Sequence, residues 1–164
     1  MTSTQEKLVD YLREAHAMET NILRMLDSMI STTSDTEIRG HLEHHKEETE
    51  RHRQRVEECL EGLGESPSRG MDIGGVLGAM GKAALDQARS DKPMRNARDG
   101  YATEHAEIAF YELLERFAEQ AGQSRIADAA RANKADEEAM ARKIEANWDR
   151  FVHLTMEEED VSAS

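Results

Sequence analysis

The stretch His41–Cys59, HLEHHKEETERHRQRVEEC, decides how this chain folds. Read as a helix at roughly 100° per residue, the surrounding Ile38, Leu42, Val56 and Leu60 mark one apolar face. His45, Thr49 and His52 fall on that same face, with Glu48 at its edge. Imidazoles and carboxylates seldom point at a core unless something satisfies them. The identity of that partner is the functional question.

The rest of the chain is helical by composition. Its 164 residues include two prolines, 4% aromatics and 34% charged residues, which suits helix almost throughout and is long enough to bury a core. Ser3-Thr-Gln-Glu6 reads as a capping box, opening a helix to about Ile30 with Leu8, Leu12, Ala15, Ile22, Leu26 and Met29 at helical spacing. Ser34-Asp-Thr-Glu37 reads as a second box, opening a helix to Glu61 that Gly62 and Gly64 stop. Residues 71–90 read as a glycine-rich crossover helix; with no preceding strand and no GK[ST] ending it is not a phosphate loop. Asp91-Lys-Pro93 begins a third long helix to Ala121, and a fourth runs from Ser124 or Arg125 to about His153. Short turns make each consecutive pair antiparallel. The expectation is an all-α antiparallel four-helix bundle over residues 1–153, built from two long hairpins joined by a short crossover helix. Residues 154–164 are expected to form a disordered acidic tail.

Charge and cysteine content narrow the function classes. A net charge of −13 argues against nucleic acid as a partner, because phosphate binding needs a basic surface. No segment approaches the roughly 18 apolar residues of a membrane span, and the polar start is no signal peptide. A cytoplasmic protein is expected. The lone Cys59 excludes an internal disulfide framework and reads as a small buried hydrophobe. The methionines read as packing, and His16, His41 and His44 as surface residues.

Each long helix places an acid in its apolar row. Glu19 interrupts Leu12, Ala15, Ile22 and Leu26; Glu107 centres the stripe of Phe110, Tyr111 and Leu114, flanked by Glu104; Glu137 interrupts Ala130, Met140 and Ile144. A first hairpin turning about residues 32–33 sets Glu19 opposite position 46, between His45 and Glu48. A second turning about 122–123 sets Glu107 opposite 138, next to Glu137. Docking the hairpins gathers these acids in one layer. Buried carboxylates in one layer cost several kcal/mol per ion, a cost that protonation or a pair of divalent cations relieves. Both His45 and His52 face inward as candidate nitrogen donors, and Tyr111 is core filler, a hydrogen-bond partner of the acids or a redox side chain.

The residues H45-x-x-E48-T49, E104-H105-x-E107-I108-A109-x-Y111 and E137 resemble the YciE/YciF type of ferritin-like protein, over about Leu8 to Phe151. The resemblance implies a ferritin-like bundle, a homodimer, a bacterial stress association and a dinuclear iron or manganese site. It carries over Glu19, Glu48, Glu104, Glu107 and Glu137 as ligands, with His45 or His52 as nitrogen donor. The wider superfamily pattern has E-x-x-H on the second and fourth helices; here they carry H45-x-x-E48 and E137-x-x-M140, implying a carboxylate-rich shell. Three functions are therefore in play: a dimetal oxidoreductase of catalase or ferroxidase type, a non-catalytic metal-binding or buffering protein, and a metal-free helical interaction module.

Overall fold

The computed structural model describes residues 3–67 and 92–162. Within them run α1 (Thr4–Thr32), α2 (Thr36–Gly62), α3 (Lys92–Gln120), α4 (Ser124–Glu145) and α5 (Trp148–Ser162). The crossover helix expected at 71–90 lies outside the described residues.

The helix ends follow local chemistry. Ser3 Oγ accepts from Glu6 N at 3.1 Å while Ser3 N donates to Glu6 Oε2 at 2.6 Å, a complete capping box. The second box differs from expectation. Asp35, not Ser34, caps α2, accepting from the backbone N–H groups of Glu37 and Ile38 at 3.1 and 2.9 Å. A carboxylate is the stronger acceptor at a helix N-terminus, and its other oxygen is held by Arg150 at 2.7 Å. At the far end of α2, Gly64 adopts φ 76°. There Glu65 N donates to Leu60 O and Gly64 N to Glu61 O, both at 2.9 Å, the Schellman pattern. Gly122 (φ 70°) repeats it after α3, with Gln123 N on Ala118 O at 2.9 Å.

α1 packs along α2 and α3 along α4; α2 meets α4 across the middle, while α1 and α3 touch more lightly. Ile38 and Ala97, near the starts of α2 and α3, share an apolar cluster with Met140 and Ile144 from the end of α4. The second and third helices therefore run parallel, with the end of α2 and the start of α3 at opposite ends of the bundle. A larger apolar cluster fills the other end, from Leu8 and Leu12 through Val56, Cys59 and Leu60 to Leu114, Ala118 and Ile126, and continues along α1 past Glu19 to Met25, Leu26 and Met29. Cys59 is buried there, as its place beside Leu60 suggested.

The fourth long helix is in two pieces. Asn147 N bonds back to Ile144 O at 3.0 Å, a tightened turn, and its side-chain amide donates to Lys143 O at 2.8 Å. An amide that competes for a helical carbonyl bends the chain. The bend turns Phe151 into the smaller cluster and leaves Trp148 half-exposed, edge-on to Tyr101 at 5.1 Å. α5 then continues to Ser162, so residues 154–162 are helical where a disordered tail was expected. Its docking on α3 supplies a reason: Thr155 is buried and its Oγ accepts from Met94 N at 3.2 Å.

Candidate metal centre

On α2, α3 and α4 a run of buried polar residues separates the two apolar clusters. It comprises His45, Glu48, Thr49 and His52 on α2, Thr103, Glu104 and Glu107 on α3, and Asn133 and Glu137 on α4. Glu19 enters the same layer from α1 and is fully buried. All seven residues singled out from the sequence are thus buried, on four helices.

Two groups of donor atoms form within the layer. Glu19, His52 and Glu137 make one; His45, Glu104 and Glu137 make the other, the donor atoms of each lying within 4.8 Å of one another. Glu137 belongs to both. Its Oε1 lies 2.8 Å from His52 Nδ1 and its Oε2 lies 3.6 Å from His45 Nε2. His45 Nε2 also lies 3.3 Å from Glu104 Oε1, and His52 Nδ1 lies 3.8 Å from Glu19 Oε1. The two histidines lie in different groups, His52 with Glu19 and His45 with Glu104.

The other imidazole nitrogens are held from outside. His45 Nδ1 meets Glu48 Oε2 at 3.4 Å, and His52 Nε2 meets Asp136 Oδ2 at 3.1 Å. Arg55 Nη1 donates to Asp136 at 3.3 Å and to Asn133 Oδ1 at 2.8 Å, and Asn133 in turn donates to the His52 carbonyl at 3.4 Å. A carboxylate behind each imidazole fixes ring orientation and tautomer, as metal-binding histidines commonly require. Glu48 is therefore placed behind His45 rather than in either donor group. Its second oxygen reaches His44 at 3.2 Å.

The pairing of α1 with α2 corrects the expected register. The loop is Thr33–Asp35, later than residues 32–33, and the pairs His16–Glu57 and Lys46–Asp27 fix the alignment. Glu19 consequently meets His52 rather than the His45–Glu48 pair. Tyr111 donates its hydroxyl to Glu19 Oε1 and is thus a hydrogen-bond partner of the acids.

What the layer lacks is internal satisfaction. Eight buried atoms have no hydrogen-bond partner: Glu19 Oε2, His45 Nε2, His52 Nδ1, Glu104 Oε2, and both oxygens of Glu107 and Glu137. Close pairs such as His52–Glu137 are near in distance but not aligned as hydrogen bonds. Buried polar atoms are nearly always bonded, so a cluster of exceptions calls for an explanation. Carboxylate oxygens with imidazole nitrogens form a donor set that suits iron, manganese or zinc, and a cation in each donor group fits the orphaned atoms.

The electrostatics agree. Burial, then repulsion from Glu137 set against attraction from His52, raises Glu19 to about 7. Burial and the neighbouring Glu104 raise Glu137 likewise to about 7. Glu107 is pushed well above the carboxylate range by burial and by Glu137, Glu19 and Glu104. Burial pulls both histidines down, but the carboxylates outweigh it: Glu104 raises His45 well above its usual value, and Glu137 raises His52. Glu48 falls to about 2 because His45 bonds to it.

Sequence reasoning passed over Asp136, Asn133 and Arg55. Asp136 precedes Glu137 and looks like an ordinary solvated acid; only the α2–α4 crossing reveals that it backs His52. His105, adjacent to Glu104, is exposed and packs edge-on against Tyr101 at 4.4 Å.

A family described as "Domain of unknown function (DUF892)" matches residues 3–157. A solved Xanthomonas campestris protein is 28% identical, covering 96% of this chain and 99% of that one, with a TM-score of 0.80. The Escherichia coli stress protein YciF matches at 18% identity over 93% of this chain and 99% of that one, TM-score 0.76. The Bacteroides fragilis dodecameric thioferritin, a bacterioferritin-related protein, matches at 15% identity over 94% and 91%, TM-score 0.74. At those two identities the likeness speaks for fold alone, and the fold is ferritin-like. No helix among the described residues is long and apolar enough to cross a membrane.

Proposed function

The chain belongs to the DUF892 family, and we propose that it binds two divalent cations, iron or manganese, in a carboxylate-rich dinuclear centre that handles peroxide or dioxygen. One observation carries this reading: five residues with unpartnered buried atoms, Glu19, His45, His52, Glu104 and Glu137, fall in two groups that share Glu137, and Glu107, in neither group, leaves both its oxygens unpartnered in the same layer. Glu19 with His52 would hold one ion and Glu104 with His45 the other. Glu137 lies between both, and Glu107, whose two oxygens are free, would bridge or complete either half.

When bound, such a pair supplies one-electron steps and positions where a small oxidant can coordinate, the basis of catalase- or ferroxidase-type chemistry. The chain's own residues do the rest. Glu48 and Asp136 hold the imidazoles so that one nitrogen of each faces inward. Tyr111 keeps its proton, since burial and then Glu19 raise it well above its usual value, and donates to Glu19. The apolar clusters on either side keep water from the layer.

The test is metal content. Protein purified without a chelating column and reconstituted with Fe(II) or Mn(II) should hold about two ions per chain, and Glu107→Ala markedly fewer. Fewer than about one ion per wild-type chain under these conditions would sink the proposal.

A homodimer in a cytoplasmic stress response is the expected setting. Sedimentation checks the assembly: a particle of many subunits, as named for the thioferritin, would move the reading toward iron storage. If Glu19→Ala and Glu137→Ala each raised the melting temperature and no metal bound the wild type, the metal-free interaction module would replace it.

A further inference from the structure

An apolar cavity of about 60 Å³ lies between the α1–α2 turn, the start of α3 and the α4–α5 bend. Its outer end carries polar and charged, partly exposed residues, Asp35, His41, Lys92 and Lys143 among them, and Glu104 stands in its wall. Lys92 and Glu104 are separated by about 18 Å of helix axis at 1.5 Å per residue. Residues from the end of the bundle to one half of the carboxylate layer therefore line the same cavity.

The sequence explains why space remains there. The inward row of α3 is Pro93, Ala97, Gly100, Glu104 and Glu107, and its first members all line the cavity. Small side chains in that row leave a gap facing Met29, Met140 and Ile144. A Cβ built on Gly100 would already stand 3.5 Å from Ile144 Cδ1. At the inner end Glu104, 2% exposed, has an Oε2 without a hydrogen-bond partner.

We propose that this cavity binds a small, uncharged, weakly hydrated molecule of dioxygen size and delivers it to the Glu104 side of the centre. This deepens the metal-centre reading and rests on it. The volume equals roughly two waters at about 30 Å³ each, too small for a sugar, nucleotide or acyl chain. Apolar walls hold an ion or strongly hydrated solute poorly, whereas such cavities stay dry and take up gases such as xenon.

The test follows methyl resonances of the metal-free protein as xenon, then dioxygen, is dissolved in the sample. The methyls of Met29, Met140 and Ile144 should shift with xenon and relax faster with paramagnetic dioxygen. Those of Met18 and Val56, beyond the carboxylate layer, should respond at least fivefold less. In Gly100→Leu the cavity response should fall at least fivefold; Ala97→Leu serves as the second blocking variant should the first fail to fold. Silent cavity methyls, or an equal response from Met18 and Val56, would overturn the proposal. Loaded with Fe(II) without air, the blocked variant should bind iron as the wild type does. Its iron, each ion losing one electron to dioxygen, should then oxidise at least fivefold more slowly. Unchanged oxidation would overturn the delivery role. Failure to take up Fe(II) would overturn the centre itself, on which the xenon result does not depend.

Discussion

His52 and Asp136 are joined across the α2–α4 crossing at 3.1 Å, and that bond turns the other nitrogen of the imidazole toward Glu19 and Glu137. Asp136→Ala removes the restraint without touching a donor atom of either group. Partners of this kind are worth about 10–100-fold in metal affinity. Calorimetric titration with Mn(II) should show a loss of that order at unchanged helix content. An affinity equal to wild type would mean that His52 is not a ligand.

The metal-free protein should lose stability as pH rises. Glu19 and Glu137 titrate near 7 in the fold against about 4.5 in the unfolded chain. Between those values the native state binds more protons, so their contribution is full at acid pH and declines as pH climbs through that window. His45 and His52 act in the same direction: raised in the fold, they contribute below about 6.5 and less as pH passes their folded values. Glu48, held near 2 by His45, works oppositely and loses its contribution only as pH falls below the usual carboxylate range. Calorimetry in chelator should find a lower melting temperature at pH 8 than at pH 5.5. A flat or rising trend would contradict the buried layer.

Glu107→Gln isolates the central charge. The carboxyl is raised by burial and three neighbouring acids, so at pH 8 its neutral replacement should stabilise the metal-free fold by about 1 kcal/mol or more, roughly 2–4 °C at this chain length. At pH 5, where the carboxyl is protonated, the two proteins should melt together. Metal stoichiometry should fall at the same time. Destabilisation at both pH values would show that Glu107 is held by bonds the structure does not contain.

Gly122→Ala is the control away from the layer. With φ at 70° an alanine there adopts a left-handed conformation at a cost of about 1–2 kcal/mol. Thermal melts should record that loss, with metal binding unaltered. An unchanged melting temperature would place the turn in another conformation.

Much of this was readable before any coordinates because helical spacing is stringent. Glu19, Glu107 and Glu137 each replace an apolar residue in an otherwise regular row, and an acid seldom recurs there by accident on three helices of the same bundle. The N-terminal box of α1 and the stops at Gly64 and Gly122 were equally plain, since each is a local bond pattern. Register was not. The observed pairing, fixed by His16–Glu57 and Lys46–Asp27, is offset by several residues from the expected one and moved Glu19 from the His45–Glu48 pair to His52, and spacing along one helix holds no record of such a shift. Asp136 and Arg55 were hidden for the same reason: their roles exist only where α4 crosses α2. The bend at Asn147 depends on a side-chain amide choosing a backbone carbonyl, which composition does not announce.

The parallel course of α2 and α3 has a bearing on how the molecule assembles. Each hairpin can close early from neighbours in sequence, but pressing the two together brings Glu19, Glu104, Glu107 and Glu137 into confinement. That last step is opposed by their mutual repulsion and released by protons or cations.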